Sequence, residues 1–278
     1  MVDLTAIVVT YDRAHDDARA LVDRLQSDSQ FPIVVVANSD GFPDIEGVTV
    51  LRPARNLGFG PGVNYGAEHV ATKWMALANP DTTLSSRDLL ALMDTAEGDD
   101  HVAVLGPRLV YPDARPQING GGYSGVAVEF SRALNLGPLL RPLRGLLRRE
   151  AWARTGVASR GAAMLRRPWV SGAALVIRTE AWRAVGGFDT RYFMYFEDED
   201  LCRRLRALGW EVGLDPSVTV AHRVGTTSHS NPYRSVVYQR SRVLYHSRYS
   251  PRWLQAFVRW SANRITDGQR RREMSARH

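Results

Sequence analysis

Five short apolar runs, separated by stretches with helical spacing, occupy the first 111 residues, and this alternation leaves few folds open. "LTAIVVT" at 4–10, "PIVVVA" at 32–37, "GVTVLR" at 47–52, "WMALA" at 74–78 and "HVAVLG" at 101–106 each read as a buried strand. Between them, residues 14–27, 61–72 and 86–97 carry apolar side chains at helical intervals. Strands alternating with helices imply βαβ units and a mostly parallel sheet covered on both faces. Such sheets bind ligands beyond the carboxyl ends of their strands, so chemistry is expected there.

From 112 to 168 the pattern breaks into an irregular, arginine-rich stretch that includes "INGGGYSG". Regular structure is expected to resume with a strand at 170–178, a short helix at 179–185, a turn at "GGFD" and a helix at 197–208. A strand at 217–221 and a helical tail over 233–278 complete the series. In the tail, Tyr238, Arg242 and Tyr245 share a face, and Trp253, Leu254, Phe257, Val258 and Trp260 lie among arginines. The chain carries a net charge of +7, and among its 36 basic residues only Lys73 is a lysine. Arginine's planar fork of donors suits phosphates, so nucleotides, nucleic acids and anionic headgroups are the partners to weigh. One cysteine, Cys202, excludes an intramolecular disulfide and a cysteine-rich zinc site, and its place on a helix suggests a buried filler. No basic region precedes the first apolar run and no run approaches membrane-spanning length, so a cytoplasmic protein is expected.

Four consecutive acids, Glu197, Asp198, Glu199 and Asp200, open the helix expected at 197–208. Mutual repulsion makes such a cluster costly unless a cation, a proton transfer or the helix end rewards it. With Leu201, Leu205 and Leu208 as the buried stripe, Asp198 and Glu197 turn inward, Asp200 lies to the side and Glu199 points away. A helix-end role accounts for the last two and leaves the first two as candidates for chemistry. In "LANPDTT", Asn79 and Asp81 follow a strand's carboxyl end, where one carboxylate and a nucleotide diphosphate can share Mg²⁺ or Mn²⁺. "RNLGFGPGVNYGA" permits close backbone approach but is not a Walker loop. His222 ends a strand and is a candidate further ligand, whereas His229 reads as loop.

Together these motifs resemble the family 2 glycosyltransferases, inverting enzymes of the GT-A fold, over roughly residues 4–250. "VVTYDR" is similar to the first-strand motif that packs on the nucleotide base, and "RNLGFGPGVNYG" to the Asn-x-Gly-Phe-Gly segment. "NPDT" stands where the family has its metal-binding aspartates, and residues 170–210 resemble the acceptor and catalytic-base segment nearly position for position. Within the family the chain looks most like bacterial enzymes that use dTDP-L-rhamnose and a polyprenyl-diphosphate-linked sugar. The resemblance implies Asp198 as the base, with Glu197 second, and a divalent cation held by Asp81 with His222. It implies donor contacts from Thr10, Tyr11, Arg13, Asn38, Asp40, Asn56, Gly58, Asn64, Asn79 and Asp81. Acceptor contacts would come from Trp169, Ser171, Gly172 and Asp200. One departure stands out: the family's Asp-Asn-x-Ser-x-Asp-Gly is shortened here to "ANSDG", with Ala37 replacing the first aspartate that reads the pyrimidine.

The expected organisation is a GT-A domain over 1–230, split at 111/112 into donor and acceptor halves, and a helical extension over 231–278. The basic, aromatic segments 135–168 and 249–272 would face an anionic membrane carrying the acceptor, and a homodimer is allowed by the reading. Three alternatives compete. A donor such as a UDP-hexose keeps every motif. A nucleotidylyltransferase needs a glycine-rich loop after the first strand, where "TYDRAHDDARA" has none. A nucleic-acid module leaves the acid cluster unexplained.

Overall fold

The computed structural model describes residues 2–27, 31–125, 129, 164–224 and 232–275, with side chains of the last two helices described over 233–267. Strand β1 (Leu4–Thr10) leads into helix α1 (His15–Ser27), strands β2 (Ile33–Ala37) and β3 (Val48–Leu51), and helix α2 (Gly60–Ala67). Strand β4 (Trp74–Ala78), helix α3 (Ser86–Glu97) and strand β5 (Val102–Val110) follow. The second half contains β6 (Leu165–Arg166), β7 (Ala174–Arg178), α4 (Thr179–Ala184), α5 (Glu197–Ala207) and β8 (Glu211–Ala221). Two helices, α6 (Pro232–Tyr249) and α7 (Arg252–Ser275), close the described chain.

The strands form one eight-stranded sheet in the order β3-β2-β1-β4-β7-β5-β8-β6. The pairs β1–β2, β1–β4, β2–β3 and β5–β8 are parallel, whereas β7 runs antiparallel to both its neighbours. Alternation along β1 sends Leu4, Ala6 and Val8 to a core shared with Leu21 and Leu25 of α1 and Leu89 and Leu92 of α3. Ile7 faces the other way, into a core with Val63 of α2, Trp182 of α4 and Leu201, Cys202 and Leu205 of α5. Both sheet faces are therefore covered, as the near-continuous apolar strands require. Because β1, β2, β3, β4, β5 and β8 end at one edge and β7 begins there, the connections at those ends meet along it. Helix α2 can lie this close to the sheet because an added Cβ on Gly66 would sit 2.9 Å from Ile7 Cγ2.

Several boundaries differ from the sequence expectation, each for a local reason. Helix α2 stops at Ala67 because Thr72, bonded to Thr5 Oγ1 at 2.8 Å and to Trp74 O at 2.7 Å, already belongs to the turn into β4. Strand β8 begins at Glu211, and β5 continues to Val110. The turn-like "LDPSV" is a bulge: Pro107 pairs with Asp215 and Arg108 with Thr219, leaving three residues of β8 looped out. The buried Asp215 satisfies that bulge by accepting from Ser217 N–H and Oγ at 2.8 and 2.6 Å and from Thr95 Oγ1 at 2.8 Å. Residues 170–173 form loop rather than strand, and Leu208, placed on the buried stripe from sequence, is 58% exposed beyond the last turn of α5. Gly209 ends that helix with φ +88°, as expected. His229 and residues 135–163 lie outside the described residues.

Candidate active site

Asp81 occupies the turn that follows β4, and its position is fixed from three sides. Asn79 N–H donates to Ala173 O at 2.8 Å, Thr82 bridges His222 in antiparallel fashion, and Arg223 N–H donates to Asp81 O at 3.0 Å. These contacts bring the Asp81 carboxylate to 3.3 Å from His222 Nε2, with side chains 17% and 13% exposed. A capping box between Ser85 and Asp88 starts α3 directly after this turn. One carboxylate and one imidazole suit a divalent cation that takes its other ligands from a diphosphate and water. Among the described residues no third histidine, cysteine or carboxylate joins them.

The acid helix reaches the same edge through one more hydrogen-bonded step. Gly172, beside Ala173, donates its N–H to Asp198 Oδ2 at 3.2 Å, and Glu199 N–H donates to Asp198 Oδ1 at 2.8 Å. Asp198 remains partly exposed, while Glu197, Glu199 and Asp200 are buried. Withdrawal from water pushes the Asp198 carboxyl up to about 6, against the pull of its two N–H donors. Burial, then the nearby Asp198 charge, raises Glu197 well above the ordinary carboxylate range, and its Oε2 has no hydrogen-bond partner among the described residues. Glu197 packs its Cβ on Gly60, where an added Cβ would stand 3.5 Å away.

Backbone strain sets this helix in place. Tyr195 and Phe196, at φ +75° and +69°, are both left-handed, a conformation costing about 1–3 kcal/mol for each such residue. Their rings pack on Tyr238 of α6, each at 5.4 Å between centroids, which offsets that cost.

The two outer acids correct the sequence expectation. Glu199 does not point to solvent: it accepts from Ser124 N–H at 2.6 Å and from Tyr245 Oη of α6. Asp200, expected to touch the acceptor, is fully buried between Arg204 Nε at 2.7 Å, Arg248 at 3.1 Å and Tyr249 Oη at 2.6 Å. Both brace α5 against α6. A helical wheel drawn on one apolar stripe cannot register a second helix packed on the opposite side.

Further along the edge, the loops after β1 and β2 lie together. His15 ties them, with ring nitrogens 3.1 Å from Thr10 Oγ1, Ser39 Oγ and Asp40 O. Sequence reading passed over His15, whose one signal was its place at the start of a helix beside the edge. Thr10 is buried, whereas Tyr11, Arg13 and Asp40 are exposed along the edge. Asn38 is buried and holds the next loop instead of facing outward: it donates to Gly58 O at 2.8 Å and accepts from Leu57 N–H at 3.1 Å. Ala37 is buried at the end of β2, so the side chain that usually reads the base is absent from this position. Asn56 caps Gly58 N–H at 2.8 Å, and Asn64 bridges both backbone groups of Phe188 at 2.8 and 2.9 Å.

Gly58 joins this loop to the acid helix. Its φ is +86°, and an added Cβ would lie 2.2 Å from Phe193 O, the acceptor of Phe59 N–H. Gly58→Ala is therefore expected to destabilise the fold by about 1–3 kcal/mol through strain and forced displacement. Denaturant unfolding measures that cost; an unchanged midpoint would show that the contact yields freely.

The loop that leads into β7 is equally built. Asn119 Oδ1 accepts from Ser171 N–H at 2.7 Å, its Nδ2 donates to Pro107 O at 2.7 Å, and Ser171 Oγ accepts from Ala173 N–H at 3.2 Å. Trp169 is partly exposed, with Nε1 reaching Gly122 O at 3.4 Å. Asn119 was legible only as part of a glycine-rich stretch.

Comparison with known proteins agrees with this fold. The model of the glycosyltransferase-like family 2 matches residues 26–245. The chain is 29% identical over 289 residues to the N-acetylglucosaminyl-diphospho-decaprenol L-rhamnosyltransferase of Mycobacterium tuberculosis, covering 93% of this chain and 88% of that one. It is also 39% identical over 54 residues to the rhamnosyltransferase WbbL of Escherichia coli, 19% and 20% of the two chains. Among solved structures, the mannosyltransferase PcManGT of Pyrobaculum calidifontis with GDP-Man and Mn²⁺ superposes with a TM-score of 0.57 at 14% identity, over 99% of this chain and 75% of that one. GalNAc-T7 with UDP, GalNAc and Mn²⁺ gives 0.59 at 13% identity over 94% of this chain, which spans 54% of that structure.

Proposed function

We propose that this chain, which belongs to glycosyltransferase family 2, moves L-rhamnose from dTDP-L-rhamnose onto a hydroxyl of a polyprenyl-diphosphate-linked saccharide. Its GT-A fold and its membership make it a glycosyltransferase. The donor and acceptor are inferred, and the observation that carries them is the likeness along 93% of the chain to an L-rhamnosyltransferase named for a lipid-diphosphate acceptor.

In this reading the two ends of one hydrogen-bonded run along the sheet edge divide the work. Asp81 and His222 would hold Mg²⁺ or Mn²⁺ against the donor diphosphate, so that negative charge gathering there as the sugar departs is neutralised. Asp198 accepts the proton of the acceptor hydroxyl while that oxygen bonds to the sugar's anomeric carbon. The carbon–oxygen bond to the diphosphate breaks on the opposite face, its electron pair leaves with the nucleotide, and the configuration inverts. Gly172 and Glu199 aim the Asp198 lone pairs through their N–H groups. Glu197, buried and with no hydrogen-bond partner for its Oε2 among the described residues, holds its proton more tightly than an ordinary carboxyl, which favours Asp198 as the ionised member of the pair.

A lipid-linked acceptor sits in a bilayer, and the outer face of α7 has the composition to meet one from the cytoplasmic side. Trp253 and Trp260 are 55% and 52% exposed, with Arg252, Arg259 and Arg264 exposed around them. Leu254 and Val258 face inward, so the tryptophans are left over from the core. No helix among the described residues is long and apolar enough to cross a membrane. Flotation with anionic vesicles should show salt-sensitive binding that Trp253→Ala with Trp260→Ala weakens; indifference to lipid charge and salt would contradict it.

Thermal unfolding in the presence of Mn²⁺ and a panel of dTDP-, UDP- and GDP-sugars tests the donor. A ligand at 100 times its dissociation constant adds about 2.7 kcal/mol of stability. The largest shift is expected with dTDP-L-rhamnose; a larger one with a UDP-hexose would reassign the donor.

A further inference from the structure

Gln117 was not among the residues expected at the site, yet it contacts one of them on both its backbone and its ring. The chain leaves β5 at Val110, turns through Tyr111–Arg115 and comes back so that Gln117 N–H donates to Leu109 O at 2.9 Å. This return places the Gln117 carboxamide beside the end of β8. Its Nε2 donates to Val110 O at 3.0 Å and to the backbone carbonyl of His222. Its Oε1 stands 3.1 Å from His222 Nδ1.

These contacts decide which way the amide faces and, through it, which ring nitrogen carries hydrogen. Two carbonyl acceptors require the Nε2 donors to face them, which leaves Oε1 toward the imidazole. An amide oxygen can only accept, so Nδ1 must carry the hydrogen. Nε2, the ring atom 3.3 Å from the Asp81 carboxylate, is then the one that meets Asp81, either through a proton shared in an ion pair or through a cation in that proton's place.

We infer that Gln117 is a positioning residue which selects the Nδ1–H tautomer of His222 and so presents Nε2, together with Asp81, to a divalent cation. This assignment rests on the proposed reading of Asp81 and His222 as ligands. It adds a partner 105 positions away in the chain, supplied by the turn after β5. Metal-bound histidines generally fix their second nitrogen on an acceptor, and losing that acceptor costs about 10–100-fold in metal affinity.

Two substitutions separate tautomer selection from simple bracing. Gln117→Leu removes the acceptor and both donors, whereas Gln117→Glu removes the donors and keeps an oxygen to accept from Nδ1–H. Mn²⁺ uptake by the full chain with dTDP present, followed by loss of the free-ion resonance, is expected to fall about 10–100-fold in Gln117→Leu and to stay within a few-fold of wild type in Gln117→Glu. Nitrogen chemical shifts of labelled histidine, read without metal, should place the hydrogen on Nδ1 in the wild type and in Gln117→Glu, and release that preference in Gln117→Leu. Equal losses in both variants, or none in either, would overturn the role given to Gln117, as would an Nε2–H tautomer in the wild type. No Mn²⁺ uptake by the wild type would overturn the metal site itself, and this assignment with it.

Discussion

Asp198→Asn is expected to slow glycosyl transfer by about 10²–10⁴-fold while leaving nucleotide-sugar affinity unchanged, the range typical of losing a general base. Asparagine has nearly the same shape but a single acceptor oxygen, so it keeps one of the two N–H contacts from Gly172 and Glu199 and turns its NH2 toward the other donor. What it lacks is a basic oxygen for the acceptor's proton. The same carboxylate sets the pH dependence. Loss of hydration raises its pKa to about 6, so the proton is retained at mildly acid pH and the base is out of use. Transfer should therefore decline as pH falls through about 6 and level off above it, and that limb should disappear in the Asn variant. Initial rates of sugar transfer on either side of that pH read both effects. Near-wild-type turnover in Asp198→Asn would move the base elsewhere, and Glu197 would be the next residue to test.

Asp81→Ala carries the second large effect, on donor binding instead of on the proton. Its carboxylate is half of the two-residue pair available to a cation, and its turn is fastened to β7 and β8 by backbone contacts that alanine keeps. Removing an outer-shell partner of a metal typically costs about 10–100-fold, and a direct ligand is expected to exceed that. Calorimetric titration of the donor nucleotide with Mn²⁺, and again with chelator, isolates the metal-dependent part. Asp81→Ala should bind equally weakly under both conditions, matching wild type in chelator. A metal-dependent gain surviving in Asp81→Ala would place the ion elsewhere.

Much of this could be read from the residues in order. The strands β1, β2, β4 and β7 announce themselves because each is a buried apolar run, and Ser86–Glu97 matches its expected helix at both ends because a capping box and an apolar stripe agree. The edge where Asp81, His222 and Gly172 meet follows from strand direction alone. Other features depend on contacts between distant parts of the chain. The bulge at Asp215 looks like a turn until β5 is paired beside it. Glu199 and Asp200 look solvated until α6 supplies Tyr245, Arg248 and Tyr249. Asn38 looks like a ligand contact until the loop at Leu57 and Gly58 takes both ends of its amide. Gln117 carries no local signal at all, since its partner is 105 positions away.

Underlying every role assigned to this edge is a division of labour: cation and diphosphate at one carboxylate, proton at the other. Crystals of the Asp198→Asn chain grown with dTDP and Mn²⁺ test it most directly, because manganese is located by its anomalous scattering. The predicted density lies between a carboxylate oxygen of Asp81 and Nε2 of His222, touching the diphosphate and leaving position 198 open to a sugar hydroxyl. Manganese seated instead against Glu197, or a nucleotide bound with its diphosphate turned away from Asp81, would contradict the account.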